Sequence, residues 1–523
     1  MRVMVIGLDG YEPSLGNEMM AQGAMPCLDR LRNSSACFTL DHGSAKRTGL
    51  AWEHVSSGMS PARANRWSAV HFDKDTYGVR QEGARFAPFT AVTDVNTVIF
   101  DLPYFRLESS PDVRGITAWG AHDPGTAMAS NPVDLLEEIS GKFGDYPATD
   151  WIYGFAWPSV EKCQRMGDAL ADATLLRSKI ARWLFSERLS DWELGFLVVS
   201  ELHSVAEGLW HGVDPEHPLA QHPSAEAAGV GVRKVYTAVD RLIGELHEAL
   251  PDTIFVVFSM HGMGVNQSDV PSMVLLPDLL FRHSFGRSAI RQTAPSVQTA
   301  GDIPMLRPDE IWGVDIIPPA TWSYRLQTRL ANWGRSGGQT GSLHWMPAAR
   351  YQPYWRKMRA FALPSFYDGQ IRLNLKGRES KGQFSVKQFD DVRREVVELL
   401  LACRDPRTGD KVVADIEYHE SASPFDIDSS AADITVVWQG SPLAFEHPEL
   451  GLVGPLPYRR PGGHTGDRGV AWIHGAGLEA ADHGVYSAFD MVPTILDLLN
   501  QSVPDPVSGS SLLGRARIRE SAG

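Results

Sequence analysis

Three short runs of apolar, largely β-branched residues constrain this chain more than anything else in it: Arg2 to Leu8 (RVMVIGL), Leu194 to Ser200 (LGFLVVS) and Ile254 to Ser259 (IFVVFS). Runs this continuous read as strands buried on both faces, as in a parallel sheet. Each ends directly in side chains able to bind a metal: Asp9 after the first, Glu201 and His203 after the second, His261 after the third. Ligand sites in open α/β sheets lie at the carboxyl ends of strands, so three strands deliver polar groups to one edge. Helical patterns separate the runs. Asn131 is placed to cap PVDLLEEISGKF, and Val235, Val239, Leu242, Ile243 and Leu246 recur at helical spacing between Val232 and Leu250. The alternation predicts an α/β fold, a doubly wound and mostly parallel sheet.

The rest of the chain has other textures. Residues 266–459 are rich in Pro, Trp and Arg, with a strand pair expected over Ala360 to Leu375, turning at Asp368-Gly369, and a helix over Val386 to Leu401. This stretch is expected to be an inserted α+β cap. Residues 58–150 lack sustained periodicity and read as a loop-rich insertion. Val485 to Leu499 (VYSAFDMVPTILDLL) returns the chain to the sheet, which makes residues 1–265 and 460–523 the expected core. The 48 Gly and 34 Pro fit a core interrupted by long connections.

Charge excludes some functions. With 63 acidic and 49 basic side chains the net charge is −14, against the basic surface that a nucleic-acid polymer or an anionic membrane would require. No segment reaches the roughly 18 apolar residues of a membrane span, and the opening apolar stretch of about six is too short for a signal-peptide core. Cys27, Cys37, Cys163 and Cys403 are scattered without a CxxC pair, so neither a disulfide framework nor a thiolate zinc site is expected. These features lead us to expect a cytoplasmic protein.

Individually, the residues that could carry chemistry have ordinary readings. Asp9 could cap a helix in a βα turn. Thr48, in RTGLAWEHVSSGMSP, could be a turn residue, and its hydroxyl needs a base or a metal to become a nucleophile. His203, Glu207 and His211 follow one another at i, i+4 and i+8 in ELHSVAEGLWHG. On a helix they share one face, either a metal-binding pair or a merely polar surface. His261 lies in FSMHGMG, and His464 in the glycine-rich RRPGGHTGDRG, where the backbone can approach a site closely.

In this order the motifs resemble the alkaline phosphatase superfamily, and within it the type I phosphodiesterase and nucleotide pyrophosphatase branch. VIGLDG opens the chain, MPCLDRL is similar to the family's MPNLxxL, and SSGMSP after Thr48 is similar to its TGxxP turn. A strand then ends in a DxxxH-type metal segment, SMHGM stands where the family has SDHGM, His464 sits in a GxHxxxG-like loop, and VPTILDLL followed by GSSL resembles the family's closing motifs. The resemblance spans nearly the whole chain.

It implies a metal-dependent hydrolase of phosphate esters, phosphodiester or pyrophosphate bonds, using two divalent ions, usually Zn2+, with Mn2+ also suited to the donors. One ion would be held by Asp9, Thr48 and His261 and would activate Thr48 to form a phosphothreonine. The other would be held by His464 with His203 and Glu207. The departures are specific. His203 and Glu207 stand where the family has Asp and then His, with Glu201 and His211 near enough in sequence to replace either. Met260 replaces the carboxylate of SDHGM, and a thioether binds hard divalent ions poorly, so one ion rather than two is also compatible. The implied substrate is a small phosphate ester, and a homo-oligomer is compatible with the sequence. Alternatives on the same scaffold are phosphomonoester, phosphonate or sulfate-ester hydrolysis, although no CxPxR-type sulfatase motif is present, or a silent relative with incomplete metal sites. Lys46 and Arg47 precede Thr48, and Arg372, Lys376 and Arg378 lie in the cap segment IRLNLKGRES, as candidate anion contacts. Trp312, Trp322, Trp333, Trp345 and Trp355 could wall a substrate or simply pack.

Overall fold

In the computed structural model, which describes residues 2–120, 126–152, 159–290, 298–300, 303–305, 343 and 346–514, the chain forms a mixed α/β fold around a nine-stranded sheet. Five neighbouring strands run parallel: Thr253–Ser259, Arg2–Leu8, Leu194–Val199, Thr97–Phe100 and Arg114–Thr117. Arg468–His474 pairs antiparallel with Thr253–Ser259 and carries Ala36–Asp41, then Asp482–Ser487, to one edge. Ala129–Asn131 closes the other edge.

Why these runs sit centrally is visible residue by residue. Met4, Ile6 and Leu8 face one hydrophobic cluster, shared with the long helices Val160–Trp183 and Ala225–Ala249. Val3 and Val5 face a second cluster, shared with the helices Ala51–Ser57 and Met491–Leu498. Phe255 and Val257 divide from Ile254, Val256 and Phe258 in the same way. A strand with no wet face has no reason to alternate polar and apolar residues, and each such side chain contributes about 1.5–3 kcal/mol on burial.

Two expectations change. The segment 58–150 is not only loop: it supplies three strands of the main sheet, Thr97–Phe100, Arg114–Thr117 and Ala129–Asn131. They are too short, at three or four residues each, to register as periodicity. Asn131 ends the last of them instead of capping a helix. Its amide donates to the carbonyls of Pro111 and Val113 at 3.0 and 2.8 Å, and Asp134 holds the N-cap position of the Leu135–Phe143 helix.

A second, four-stranded antiparallel sheet runs Ala360–Leu363, Gly369–Leu373, Ile434–Trp438, Val413–Tyr418, with the helix Phe389–Leu401 beside it. Its apolar cluster is separate and also takes in Val70, Phe72 and Tyr77. Trp355 is buried there, stacked on Phe361 with ring centroids 4.9 Å apart, so it packs and walls nothing. Trp312, Trp322, Trp333 and Trp345 lie outside the described residues. Among the described residues, no helix is long and apolar enough to cross a membrane.

Candidate functional site

The site begins with strand register. Leu8 pairs with Val199 and Gly7 with Phe258, so Asp9, Glu201 and His261 leave the sheet at the same edge. Asp9 is held there by its backbone N–H, which donates to Val199 O at 3.2 Å. The following Gly10 has φ of 72°, and a Cβ on it would stand 2.6 Å from His203 Cα. Only glycine allows this loop to lie against the helix Glu201–Leu209.

All nine residues of that helix are buried. His203 and Glu207, one turn apart, bring Nε2 and Oε1 to 3.4 Å. His464 reaches them on a loop pressed against the same helix, where a Cβ on Gly462 would lie 2.0 Å from Ala206 O. His464 Nε2 stands 2.7 Å from His203 Nε2, and its Nδ1 stands 2.8 Å from His261 Nε2. Ligand atoms from His203, Glu207 and His464 all fall within 4.8 Å of one another. Glu207 Oε2 is buried and has no hydrogen-bond partner. A carboxylate oxygen without a hydrogen-bond partner beside two imidazole nitrogens is an arrangement that can hold a divalent ion.

The other half of the site is less complete. Thr48 ends a short 3-10 turn, 9% exposed, with Oγ1 donating to Ala45 O at 2.8 Å and accepting from Leu50 N–H at 3.2 Å. A Cβ on its neighbour Gly49 would stand 3.1 Å from the Tyr367 ring, and that ring meets His464 edge-on with centroids 5.0 Å apart. Met260 lies in the apolar cluster under the sheet, 6% exposed, and offers no ligand.

Electrostatics divides the groups by type. Burial pushes the Asp9 carboxyl up to about 7, against a hydrogen bond from Trp52 and with help from the nearby charges of Glu207 and Glu201. Burial likewise raises Glu207 to about 7, opposed by Arg460. Burial and the Lys46 charge push His261 down to about 3. Imidazoles kept neutral are ready ligands, whereas the carboxyls must shed protons to bind a cation.

Several expectations for individual residues are corrected. Glu201 is no substitute ligand: its carboxylate takes the fully buried Arg177 at 2.8, 3.0 and 3.1 Å, and Arg177 also pairs with Asp101 at 2.9 Å. His211 lies beyond the helix end, with Nε2 3.0 Å from Ser224 Oγ. Arg47 is spent on Asp368 at 2.5 Å and on Glu417, and Lys46 on Asp467 at 2.9 Å. Arg372 and Arg378 are buried on Glu379, and Arg378 also pairs with Asp433.

Sequence reasoning missed four further participants. His42 joins His261, Nδ1 to Nδ1, at 3.2 Å, and its Nε2 stands 3.1 Å from His54 Nδ1. An unbroken row of five imidazoles thus runs from His54 to His203. His42 and His54 flank Thr48 in sequence, and that bracketing is the one signal that might have exposed them. Arg460 grips Asp269 at 3.0 and 3.2 Å and ion-pairs with Glu207. Neither Arg460 nor Asp269 carries any local motif.

No protein-family model and no curated protein sequence matches the chain. Solved structures do. Phosphonoacetate hydrolase from Sinorhizobium meliloti 1021, in complex with phosphonoformate, is similar over 96% of both chains at 14% identity and a TM-score of 0.48. Human ectonucleotide pyrophosphatase/phosphodiesterase 5 is similar over 98% of both at 12% identity and 0.46. The murine form is similar over 98% of both at 11% and 0.47.

Proposed function

We propose that this chain is a metal-dependent hydrolase of small phosphate esters, acting on phosphodiester or pyrophosphate bonds, and a member of the alkaline phosphatase superfamily's phosphodiesterase branch. The observation that carries the reading is the convergence of His203, Glu207 and His464 at the carboxyl edge of the parallel strands, with Glu207 Oε2 left without a partner. Residues 1–265 and 460–523 form the catalytic unit in this reading, and 266–459 its cap.

His203, Glu207 and His464 would hold one divalent ion, Zn2+ by donor type, and a bound ion there supplies charge stabilisation to a phosphoryl oxygen. Thr48 is the nucleophile. Its Oγ1–H, which donates to the Ala45 carbonyl, must lose its proton as the oxygen attacks phosphorus and expels the ester's leaving oxygen; water then cleaves the phosphothreonine and restores Thr48. Held with Asp9 and His261 on an ion, the Thr48 hydroxyl would have a lowered pKa and let its proton pass to solvent. Asp9, Thr48 and His261 are the donors for a second ion. Without a carboxylate at Met260 they hold it more weakly. The four cysteines are free thiols, which supports a reducing compartment.

The test is metal analysis of the purified protein together with turnover of bis-aryl and mono-aryl phosphates. One tightly bound divalent ion per chain and faster turnover of the diester are expected. Absence of both metal and turnover, even with added zinc or manganese, would discard the reading in favour of a silent relative.

A further inference from the structure

The cap carries a second feature, apart from the histidine site. The loop after the Gly369–Leu373 strand folds back on itself and, with the turn at Arg356-Lys357, encloses an open cleft of about 500 Å³. Four cations line it: Arg356, Lys357, Lys376 and Lys381. Its single carboxylate, Glu379, is 3% exposed and fully committed, accepting from Arg372 Nε at 2.9 Å, Arg378 Nε at 2.8 Å and Leu375 N–H at 2.9 Å. The cleft therefore presents positive charge with no counter-charge of its own.

Several cations elsewhere in this acidic chain are spent on acids. Lys46, Lys234, Arg47, Arg177 and Arg460 are all paired. In the cleft, Lys357, Lys376 and Lys381 are exposed and make no ion pair among the described residues. Arg356 donates to the carbonyl of Thr76, at 2.9 Å, and makes no ion pair among the described residues, with its guanidinium carbon 5.7 Å from the Tyr77 ring centroid. The floor beneath them is fixed. Lys376 N–H donates to Phe384 O, Gln383 N–H to Asn374 O and Gly382 N–H to Glu379 O, at 2.7 to 3.1 Å, and the Gln383 amide ties the carbonyls of Arg356 and Lys381 together at 2.8 Å.

We propose that this cleft is a binding site for a compact, multiply charged phosphate anion, an oligophosphate or a small molecule bearing one. Size and screening select that class. At physiological ionic strength charges beyond about 8 Å are largely screened, so a small anion in the cleft feels its four cations and little of the protein's excess acid. Against a nucleic-acid strand, the cleft is lined by no aromatic ring on which a base could stack, and the chain as a whole is acidic, with a net charge of −14. None of the residues lining the cleft belongs to the histidine site: Tyr367, which meets His464, stands before the Gly369–Leu373 strand and Lys376 beyond it.

The experiment is titration calorimetry of metal-free, full-length protein with inorganic tripolyphosphate at low and physiological salt. It needs neither metal nor turnover, so its outcome is independent of the hydrolase reading. The variant Lys357→Gln/Lys376→Gln/Lys381→Gln is expected to bind at least about tenfold more weakly than the parent. The control Lys162→Gln/Lys179→Gln/Lys234→Gln, equal in net charge, should change affinity by less than about twofold, and both should melt with the parent. Equal weakening in the two variants, no binding by the parent, or tighter binding of a short single-stranded oligonucleotide than of tripolyphosphate would each overturn the proposal.

Discussion

The two halves of the histidine site differ in how they were assembled. On one side, His203 and Glu207 share a fully buried helix and His464 is driven against it by a glycine loop; three donors meet with an oxygen to spare. On the other, Asp9, Thr48 and His261 come from three separate loops, Met260 contributes nothing, and His261 leans on His42 and His54. Donors one helical turn apart are placed by the helix itself, whereas donors from separate loops depend on every loop being right. The first half holds its three donors together, with Glu207 also paired to Arg460, while the second has spent a carboxylate position on core packing.

The largest break in this comparison comes from Thr48→Ala. Turnover of a bis-aryl phosphate is expected to fall at least about a thousandfold, with zinc content and melting temperature unchanged, because the helix half is untouched. Retained activity would remove Thr48 from the chemistry.

Met260→Asp should sharpen the comparison by restoring the lost carboxylate. In metal-free protein an acid in that apolar cluster is expected to cost about 2–4 kcal/mol, visible as a lowered melting temperature. Excess zinc should recover the loss and raise the metal content toward two ions per chain. A content that stays at one ion would show that the two halves cannot be made alike this way.

The smallest effect is a pH dependence. Glu207 has a folded value near 7 against about 4.3 unfolded, so the folded metal-free protein holds a proton that the unfolded chain releases. Stability from this group is full below about pH 4 and is lost as pH rises to about 7. His261 works the other way: its folded value near 3 makes stability full above about pH 6.5 and lost on acidification. Glu207→Gln removes only the first contribution. The melting temperature of the variant should therefore gain on the parent between pH 4 and pH 7 and hold that gain above, and a difference independent of pH would contradict the assignment.

How much was legible follows the same division. The sheet could be read because strands buried on both faces have a composition that nothing else in a soluble chain requires, and the paired donors because i and i+4 is a helical spacing. The strands at Thr97, Arg114 and Ala129 were too short to show a period. The fates of Arg47, Arg177 and Arg378 were not legible either, since each is neutralised at least in part by an acid from another part of the fold, and a cation's availability depends on that partner; Arg372 is taken by Glu379 of its own segment. His42 and His54 were hidden because an isolated histidine looks the same whether it meets solvent or another ring.

Arg47 carries one more consequence. It immediately precedes Thr48, and it is bound to Asp368, in the turn before the second sheet's Gly369–Leu373 strand, and to Glu417 on that sheet's Val413–Tyr418 strand. Any swing of that sheet to admit a bulky substrate must either break this latch or drag the threonine with it. On the hydrolase reading, access and reactivity are mechanically one coordinate, and the width of substrate tolerated is set by how far that coordinate travels before Thr48 leaves its line of attack.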